Sequence, residues 1–346
     1  MSLLTGSTSD FFGLDIGTTA IRLVQLRGPS SPKALVKYAY VPLEGNVALS
    51  ESKGDQQKLA KAIEQLVSQS GVSTKNVAVG IPSSRVFTTV ADVDRLPGNE
   101  LAKAIRYQAD SLIPTPLADS KMDWAVIGDS PSDKVKQEIL LSSVTNKFVE
   151  ARLDLLEGIG LNVIAFEPDN LAMARALAIS DPKAQLILDV GRLSTDLVVI
   201  QNGAPHLTRS IPNGVEAIVR ATAQNLNIDA KQAEQFVFKF GMSKEKLEGQ
   251  VLQAISGTVD LLTSEIEKSI KFFQTRYAGM TIERIVVTGG ASVIPEFPLY
   301  IANKFGLNVE IGNAWRNVSY AQDRQNELLS ISNQFGVAVG LAERSS

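Results

Sequence analysis

The amino-acid sequence predicts an α/β protein with a duplicated core and a small inserted α+β subdomain. Apolar segments typical of strands alternate with segments of helical periodicity along the 346 residues. Segment 14–26 matches segment 188–200 without a gap, and Leu, Asp, Gly, Leu and Val recur at equivalent positions. Between 84 and 163 the order changes to strand, helix, strand, strand, helix. The simplest explanation is one α/β unit present twice, with a separate unit inserted.

The first copy begins with an apolar hairpin that turns at residues 16–19. A helix is predicted next, because Leu59, Ile63 and Leu66 recur at helical spacing. The predicted elements of this copy are strands over 11–15, 20–26, 34–41 and 77–81 and a helix over 55–70.

The insertion contains a predicted helix that ends at a double-proline turn. Asn99 is its predicted N-cap, Leu101 and Ile105 lie on its apolar side, and Pro114 and Pro116 stop it. The other predicted elements are strands over 86–93, 123–127 and 136–144 and a helix over 146–157.

The second copy contains a long amphipathic helix over 255–277, with Phe273 and Tyr277 on its predicted core face. A helix of small residues over 333–342 suits close packing against a neighbour. The remaining predicted elements are a strand over 163–166, a helix over 169–179, the second strand-turn-strand from 186, helices over 215–225 and 229–240, a strand over 284–288 and a helix opening at Pro295.

Composition disfavours several classes of function. Lys and Arg number 34 against 37 Asp and Glu, so the net charge of −3 gives no positive field for nucleic acid. Because the chain has no cysteine, disulfides and thiolate chemistry are excluded and the cytoplasm is the expected compartment. The single histidine, His206, lacks a G-x-S-x-G motif and is expected in a solvent-exposed turn, which disfavours a Ser-His-Asp hydrolase.

Direct membrane insertion is not expected. The longest apolar stretch, 185–200, is interrupted by charged residues, whereas a spanning helix needs about 18 or more apolar residues. Residues 1–10 lack the basic and apolar regions of a signal peptide.

Three glycine-containing turns suit a phosphate chain and its metal ion. Asp15 and Asp189 each end an apolar strand and precede a glycine turn with free backbone amides. Such an aspartate can hold Mg²⁺ through water while amides and hydroxyls bind phosphate oxygens. The sequence Thr-Gly-Gly at 288–290 lets the backbone approach a nucleotide closely. The repetition of these turns favours a nucleotide site, in which two hairpins facing each other across a cleft hold a polyphosphate.

The order of these motifs resembles that of the actin-like ATPase superfamily. The matching segments are the two phosphate loops (15–19 and 189–196), the adenosine loop (288–292) and the two connecting segments (166–169 and 333–342). Arg22 stands where actins carry a phosphate-binding lysine. Segments 107–117, with its Pro-x-Pro turn, and 208–214 further resemble the PilM family of type IV pilus assembly proteins, which is related to FtsA.

The resemblance implies an actin-like fold of two ribonuclease H-like domains around a nucleotide cleft. It divides the chain into a first domain (10–83, 164–184 and 331–346), an inserted subdomain (84–163) and a second domain (185–330). ATP and Mg²⁺ are the implied cofactors, with the metal held at Asp15 and Asp189 through water. The implied nucleotide-binding residues are Asp15, Gly17, Thr18, Thr19, Arg22, Asp189, Gly191, Ser194, Thr195, Gly214, Glu234, Gly289, Gly290 and Ser292.

For function, the resemblance implies a cytoplasmic ATP-binding scaffold of the type IV pilus inner-membrane assembly complex. Its partner is the N-terminal tail of a PilN-type membrane protein, which holds the scaffold at the periphery of the inner membrane, and other pilus assembly proteins are further candidate partners. The implied groove residues lie on one helix and turn of the insertion: Ala102, Ile105, Arg106, Ala109, Ile113 and Leu117.

Departures from the family pattern favour slow turnover of ATP. Arg192 and Leu193 replace the small residues of the second phosphate loop, and Val237 stands where an adenine-contacting lysine is expected. Two roles stay open. Glu167 is expected either to orient water or to cap the following helix, and Arg22 to bind either phosphate or a carboxylate across its hairpin.

Two other functions stay open as well. An FtsA-like or other actin-like filament protein would pellet with ATP, although the FtsA type of C-terminal amphipathic helix is not found. A small-molecule kinase of the superfamily needs a carboxylate base and polar substrate loops, and segment 77–95 carries no such loop.

Overall fold

The computed structural model describes residues 10–29, 31–45 and 47–344. They form two compact units. Within the described ranges, the first unit comprises 10–82, 149–176 and 314–344, and the second comprises Ser83–Phe148 and Leu177–Asn313. The signal-peptide expectation concerns residues that lie, except for Asp10, outside the described ranges, as do the last two residues of the predicted first domain. The three-part domain division stays a prediction.

The described residues form fourteen strands and ten α-helices. The strands are β1 (Phe12–Ile16), β2 (Ala20–Arg27), β3 (Lys33–Pro42), β4 (Asn76–Ile81), β5 (Val86–Asp94), β6 (Ser120–Asp129), β7 (Lys136–Thr145), β8 (Asn162–Pro168), β9 (Ala184–Val190), β10 (Thr195–Gln201), β11 (Ala204–Ile211), β12 (Ile282–Thr288), β13 (Asn308–Ile311) and β14 (Val318–Ser319). The helices are α1 (Lys53–Ser70), α2 (Gly98–Leu112), α3 (Asn146–Gly158), α4 (Asp169–Leu177), α5 (Val215–Leu226), α6 (Ala230–Phe240), α7 (Gln250–Arg276), α8 (Phe297–Phe305), α9 (Gln325–Ile331) and α10 (Gly336–Glu343).

The first unit is built on a six-stranded sheet in the order β14-β3-β2-β1-β4-β8. Strand β1 is buried along its whole length, because it lies in the middle of the sheet and carries apolar residues on both faces. One face packs on α1 through Leu59, Ile63 and Leu66, as the helical spacing predicts. Helix α10 contacts β1, β2 and β4, and its small residues are buried.

The second unit contains a five-stranded sheet in the order β11-β10-β9-β12-β13. Its connectivity repeats the first sheet, since an antiparallel hairpin (β9–β10, like β1–β2) is followed by a parallel neighbour (β12, like β4). Helix α7 covers one face, and Val259, Ile266 and Phe273 lie in the core below it. The predicted duplication is therefore confirmed in strand order and direction.

The second unit also contains the sheet of the predicted insertion, which is antiparallel in the order β5-β7-β6. Helix α2 packs on it through Leu101, Ile105 and Ala109. The predicted N-cap at Asn99 is wrong. Pro97 has extended backbone dihedrals and occupies the cap position without a side-chain hydrogen bond, so the helix begins at Gly98 and Asn99 falls in its first turn.

Other helix ends also differ from the prediction. The predicted helix over 333–342 is divided into a 3₁₀ turn, Ser332–Gln334, and α10. The helix expected from Pro295 begins at Phe297. Within the described residues, none of these helices is long and apolar enough to cross a bilayer.

Candidate functional site

The first hairpin places Asp15 of β1 directly opposite Arg22 of β2. Both are buried, at 5% and 8% exposure, and Nη1 of Arg22 lies 3.4 Å from Oδ2 of Asp15. The same nitrogen donates to the carbonyl of Ala20, and Nη2 donates to Oε1 of Gln334 at 3.3 Å. Of the two roles left open for Arg22, the structure therefore shows pairing with the carboxylate across its hairpin.

Burial and the positive charge of Arg22 have opposite effects on the pKa of Asp15. Desolvation raises the pKa of Asp15, and the neighbouring guanidinium of Arg22 works in the opposite direction. The turn that joins the strands is closed by the amide of Gly17, which donates to the carbonyl of Ala20 at 3.1 Å. Thr18 and Thr19 form the tip of this turn, and Thr19 is exposed.

The second hairpin repeats this geometry with different charges. Asp189 of β9 lies opposite Asp196 of β10, and the amide of Gly191 donates to the carbonyl of Ser194 at 2.9 Å. Burial raises the pKa of Asp196 to about 6, although the neighbouring hydroxyls of Ser210 and Ser83 favour the ionised form. Oδ1 of Asp196 is buried without a hydrogen-bond partner.

Several predicted phosphate-loop residues come together around the second turn. The amides of Val215 and Glu216, at the start of α5, donate to the carbonyls of Gly191 and Arg192. Gly214 precedes them, and a Cβ atom there would lie 2.5 Å from the carbonyl oxygen of Gly191. The backbone of α5 thus holds this turn in place.

The adenosine-loop segment also contacts Asp189. Gly289 has a φ of +77°, and a Cβ atom at this position would lie 2.0 Å from Oδ1 of Asp189. Both the dihedral and the close approach require glycine. Ser292 is buried and donates to the carbonyl of Gly289 at 2.6 Å, and Gly290 opens the 3₁₀ turn between them.

Two further residues of the predicted nucleotide site, Thr195 and Glu234, lie on β10 and α6. The hydroxyl of Thr195 is buried and donates to the carbonyl of Asn213 at 2.6 Å. Glu234 lies on the exposed side of α6, and Val237, one turn later, is part of the core. Both placements follow from packing, which amino-acid spacing alone does not reveal.

Glu167 lies at the end of β8 and is buried. Its carboxylate accepts hydrogen bonds from Arg175, which lies on α4, and from Arg344, whose Nη1 is 3.2 Å from Oε2. In this structure Glu167 is an ion-pair anchor within the first unit, a role that the sequence did not suggest.

The residues of the predicted partner groove lie on two different sides of α2, one buried and one exposed. Ile105, Ala109 and Ile113 are buried in the core of the inserted sheet, and Leu117 packs against that core. Ala102 and Arg106 are exposed, and Tyr107 beside them is 88% exposed. Within the predicted groove, only the exposed side of this helix is accessible to solvent.

A buried cluster in the second unit was missed by the sequence. Glu138 of β7 is fully buried and accepts hydrogen bonds from Nε of Arg276 at 3.0 Å and from the hydroxyl of Tyr277 at 2.9 Å. Nδ1 of His206 lies 3.5 Å from the same carboxylate. Burial acts to raise the pKa of Glu138, but these donors outweigh it and hold the pKa below its usual range.

The predicted exposed turn at His206 is wrong. The turn is formed earlier, by Asn202 and Gly203, which both have positive φ angles. His206 therefore lies in β11, with a side chain that is 11% exposed and in edge-to-face contact with Tyr277. Among the described residues, no group of three or more His, Asp or Glu side chains is arranged to hold a metal ion.

Comparison with known proteins supports an actin-like fold. The family model described as Type IV pilus assembly protein PilM matches residues 13–346. A solved PilM-PilN type IV pilus biogenesis complex is 24% identical, covers 97% of this chain and 98% of its own, and gives a TM-score of 0.84. MreB5 of Spiroplasma citri bound to AMPPNP gives 0.56 at 14% identity, with 96% of this chain and 95% of that chain covered. The ethanolamine utilization protein EutJ from Carboxydothermus hydrogenoformans gives 0.55 at 17% identity, with 96% and 89% covered. The predicted actin-like fold is confirmed.

Proposed function

We propose, from the premise that this chain belongs to the PilM family of type IV pilus assembly proteins, that it is an ATP-binding scaffold which binds the tail of a PilN-type membrane protein. The observation that carries the pilus role is the family match over nearly the whole chain. The likeness to a structure that contains PilN supports the choice of partner. In this role the protein works in the cytoplasm and reaches the inner membrane through its partner, where other pilus assembly proteins also meet it.

The exposed side of α2 is the surface that we assign to the tail. Tyr107 projects into solvent beside Arg106, and aromatic and arginine side chains contribute most of the binding energy in protein interfaces. Ile105 and Ala109 act indirectly, because they fix the helix on its sheet.

Binding of a fluorescent peptide with the PilN tail sequence tests this assignment by anisotropy. We expect saturable binding, which Tyr107→Ala weakens by about tenfold or more, as removal of an interface aromatic does. Phe272→Ala is the matched control, since Phe272 is also an exposed aromatic, at 61%, but lies on α7. Equal affinities of the two variants for the peptide would exclude α2 as its binding surface. No binding by the unmodified protein would contradict the PilN role.

Nucleotide binding is supported by the two aspartate hairpins, each followed by a glycine turn. A structural neighbour with the same fold is described as bound to AMPPNP, and another, also MreB5, as bound to ADP. We assign ATP phosphates to these turns. Asp189, which lies near the end of β9 and two residues before Gly191, is the residue that would hold Mg²⁺ through water. When bound, the metal would neutralise phosphate charge.

Calorimetric titration with ATP and Mg²⁺ tests this part of the proposal. We expect heat of binding from the unmodified protein and weaker binding after the double substitution Asp15→Asn with Asp189→Asn. Unchanged affinity in the double variant would exclude the two hairpins. The expected slow turnover follows from Arg192 and Leu193 at the second turn, and a phosphate-release assay measures it directly.

A further inference from the structure

Helix α7 exposes two large apolar side chains on the side that faces solvent. Leu261 and Phe272 are 68% and 61% exposed, whereas the opposite side of the helix is buried in the core of the second unit. The two residues are separated by about three helical turns, so their side chains lie on one line, about 16 Å apart along the helix. Single exposed apolar side chains are ordinary, but an aligned pair on one helix marks a candidate contact surface.

Two residues of opposite charge lie between this apolar pair. We call the resulting line the α7 stripe: Leu261, Glu265, Lys268 and Phe272. Its members are spaced by 4, 3 and 4 positions, which keeps them on one face of the helix. Glu265 pairs with Arg209 and with Lys268 of its own helix. The ammonium of Lys268 has three donors and its side chain is 65% exposed, so it can bind a second carboxylate as well.

The α7 stripe is complementary to itself when it is reversed. In an antiparallel pair with a twofold axis at the middle of the stripe, Leu261 of one copy lies opposite Phe272 of the other. In the same pair Glu265 lies opposite Lys268, and each contact occurs twice, as a twofold axis requires. A stripe that served a different protein would have no reason to complement itself. We propose that two copies of this protein associate as an antiparallel pair through the α7 stripe.

Charge determines the direction of this pairing. A parallel arrangement of the same faces would place Glu265 against Glu265 and Lys268 against Lys268, and like charges in close contact repel. The apolar ends of the stripe meet apolar side chains in either direction. They therefore supply affinity, while the two charged residues select the antiparallel arrangement.

The surface beyond the stripe permits close approach of a second helix. Gly257 is exposed one turn before Leu261, and a Cβ atom there would meet nothing within 4 Å. Thr275, beyond Phe272, is also small and exposed. A contact made by one helix of 27 residues, about 40 Å long, is small for a protein interface. We therefore expect a weak, reversible dimer with a dissociation constant of about 10 µM or more.

Sedimentation equilibrium of the full chain, at concentrations up to about 1 mM, measures this association. Lys268→Glu should weaken the dimer by about tenfold or more, because it places like charges opposite each other. Glu265→Lys should do the same, and a mixture of the two variants should restore association, since both contacts then join unlike charges. Lys58→Glu is the matched control, because Lys58 is also an exposed lysine, at 72%, that pairs with an acid three residues earlier on a helix.

Cross-linking tests the direction of the pair, and the chain suits it because it contains no cysteine. We expect a short bismaleimide to join Leu261→Cys to Phe272→Cys when the two variants are mixed. Leu261→Cys alone should give little cross-linked dimer, because the two introduced thiols would lie about 16 Å apart along the antiparallel helices.

The proposal fails if the unmodified protein stays monomeric over the whole concentration range. It also fails if Lys268→Glu and Lys58→Glu have equal effects on the dimer, and efficient cross-linking of Leu261→Cys to itself would overturn the antiparallel arrangement. Should Glu265→Lys not fold without its Arg209 contact, Lys268→Glu and the cross-links still decide. The proposal goes beyond the proposed function, and none of these outcomes affects the tests of ATP or peptide binding.

Discussion

The two hairpins have the same backbone and opposite charges. In the first, Asp15 faces Arg22, and in the second, Asp189 faces Asp196 at the same position of the register. Both turns are closed by a glycine amide that donates to a carbonyl, at 3.1 Å and 2.9 Å. The apolar repeat and the glycine therefore set the backbone, and one residue on the second strand sets the electrostatics.

The two hairpins show that copies with the same backbone can differ in the charges they carry. The first hairpin contains a neutral ion pair, whereas the second holds two carboxylates, one with a raised pKa. A buried ion pair depends on both members, while a desolvated carboxylate without a cationic partner costs stability whenever it is ionised. Substitutions in the two hairpins should consequently change stability in opposite directions.

The largest expected effect is the loss of Arg22. Arg22→Met leaves Asp15 buried without its cation, and removal of one member of a buried pair typically costs about 3–5 kcal/mol. Because burial already raises the pKa of Asp15, and the arginine opposes that rise, the loss should shrink at low pH, where Asp15 takes up a proton. Urea unfolding at pH 7.5 and pH 5 measures both values.

Arg27→Met is the matched control for Arg22→Met. Arg27 also lies on β2 and also pairs with an aspartate, Asp10, at 3.4 Å, but that pair is exposed to solvent. Its loss should cost at most about 1 kcal/mol. Similar losses for the two variants would mean that Asp15 and Arg22 do not act as a buried pair.

The second hairpin should respond in the opposite direction. The pKa of Asp196 is about 6 in the fold against 3.8 for an unburied aspartate, so its ionisation destabilises the folded state. Asp196→Asn should therefore stabilise the protein by up to about 3 kcal/mol above pH 6, since one pKa unit corresponds to about 1.4 kcal/mol.

The stabilisation expected for Asp196→Asn should depend on pH. At pH 4 Asp196 is protonated in the fold, so the variant and the unmodified protein should unfold at nearly the same urea concentration. Asp110→Asn on the exposed side of α2 is the control and should change stability by less than about 0.5 kcal/mol at either pH. A gain that is equal at pH 4 and pH 7.5 would contradict the assigned cause.

The sequence predicts those features of the fold that depend on the local pattern of residues. The repeat at 14–26 and 188–200 predicts both hairpins, because their apolar residues and glycines recur at fixed spacing. Likewise, the helical spacing of Val259, Ile266 and Phe273 predicts the buried face of α7.

What the sequence does not reveal depends on distant residues. Glu138, His206 and Arg276 lie in different elements and meet only after the second unit has folded. The same holds for Gln334, which reaches Arg22 from a segment more than 300 positions away. Side-chain partners of this kind leave no periodic signal along the chain.

A smaller effect should distinguish the two turn glycines. In Gly17→Ala the new Cβ would stand 3.0 Å from the carbonyl of Ala20 and 3.2 Å from Nη1 of Arg22. In Gly191→Ala it would meet only one such atom, the carbonyl oxygen of Ser194 at 3.1 Å. We expect a loss of about 1–2 kcal/mol for the first and about half of that for the second.

A double-substitution cycle identifies the source of that difference. If the guanidinium causes the extra loss, Gly17→Ala and Gly191→Ala should cost the same in a protein that also carries Arg22→Met. An unchanged difference in that background would assign it to the turn backbone instead.

The smallest expected effect concerns Arg192, the arginine of the second turn. It pairs with Glu216 at 3.2 Å, but the two side chains are 47% and 37% exposed. Arg192→Ala should cost about 0.2–1 kcal/mol at low ionic strength, and this loss should vanish in 1 M NaCl, where charges are screened within about 3 Å. The carbonyl of Arg192 keeps its hydrogen bond from the amide of Glu216 in the variant, so the turn itself should persist. A loss that survives high salt would mean that Arg192 stabilises the turn through the packing of its aliphatic stem. The contrast with Arg22 would then rest on packing as well as on burial of charge.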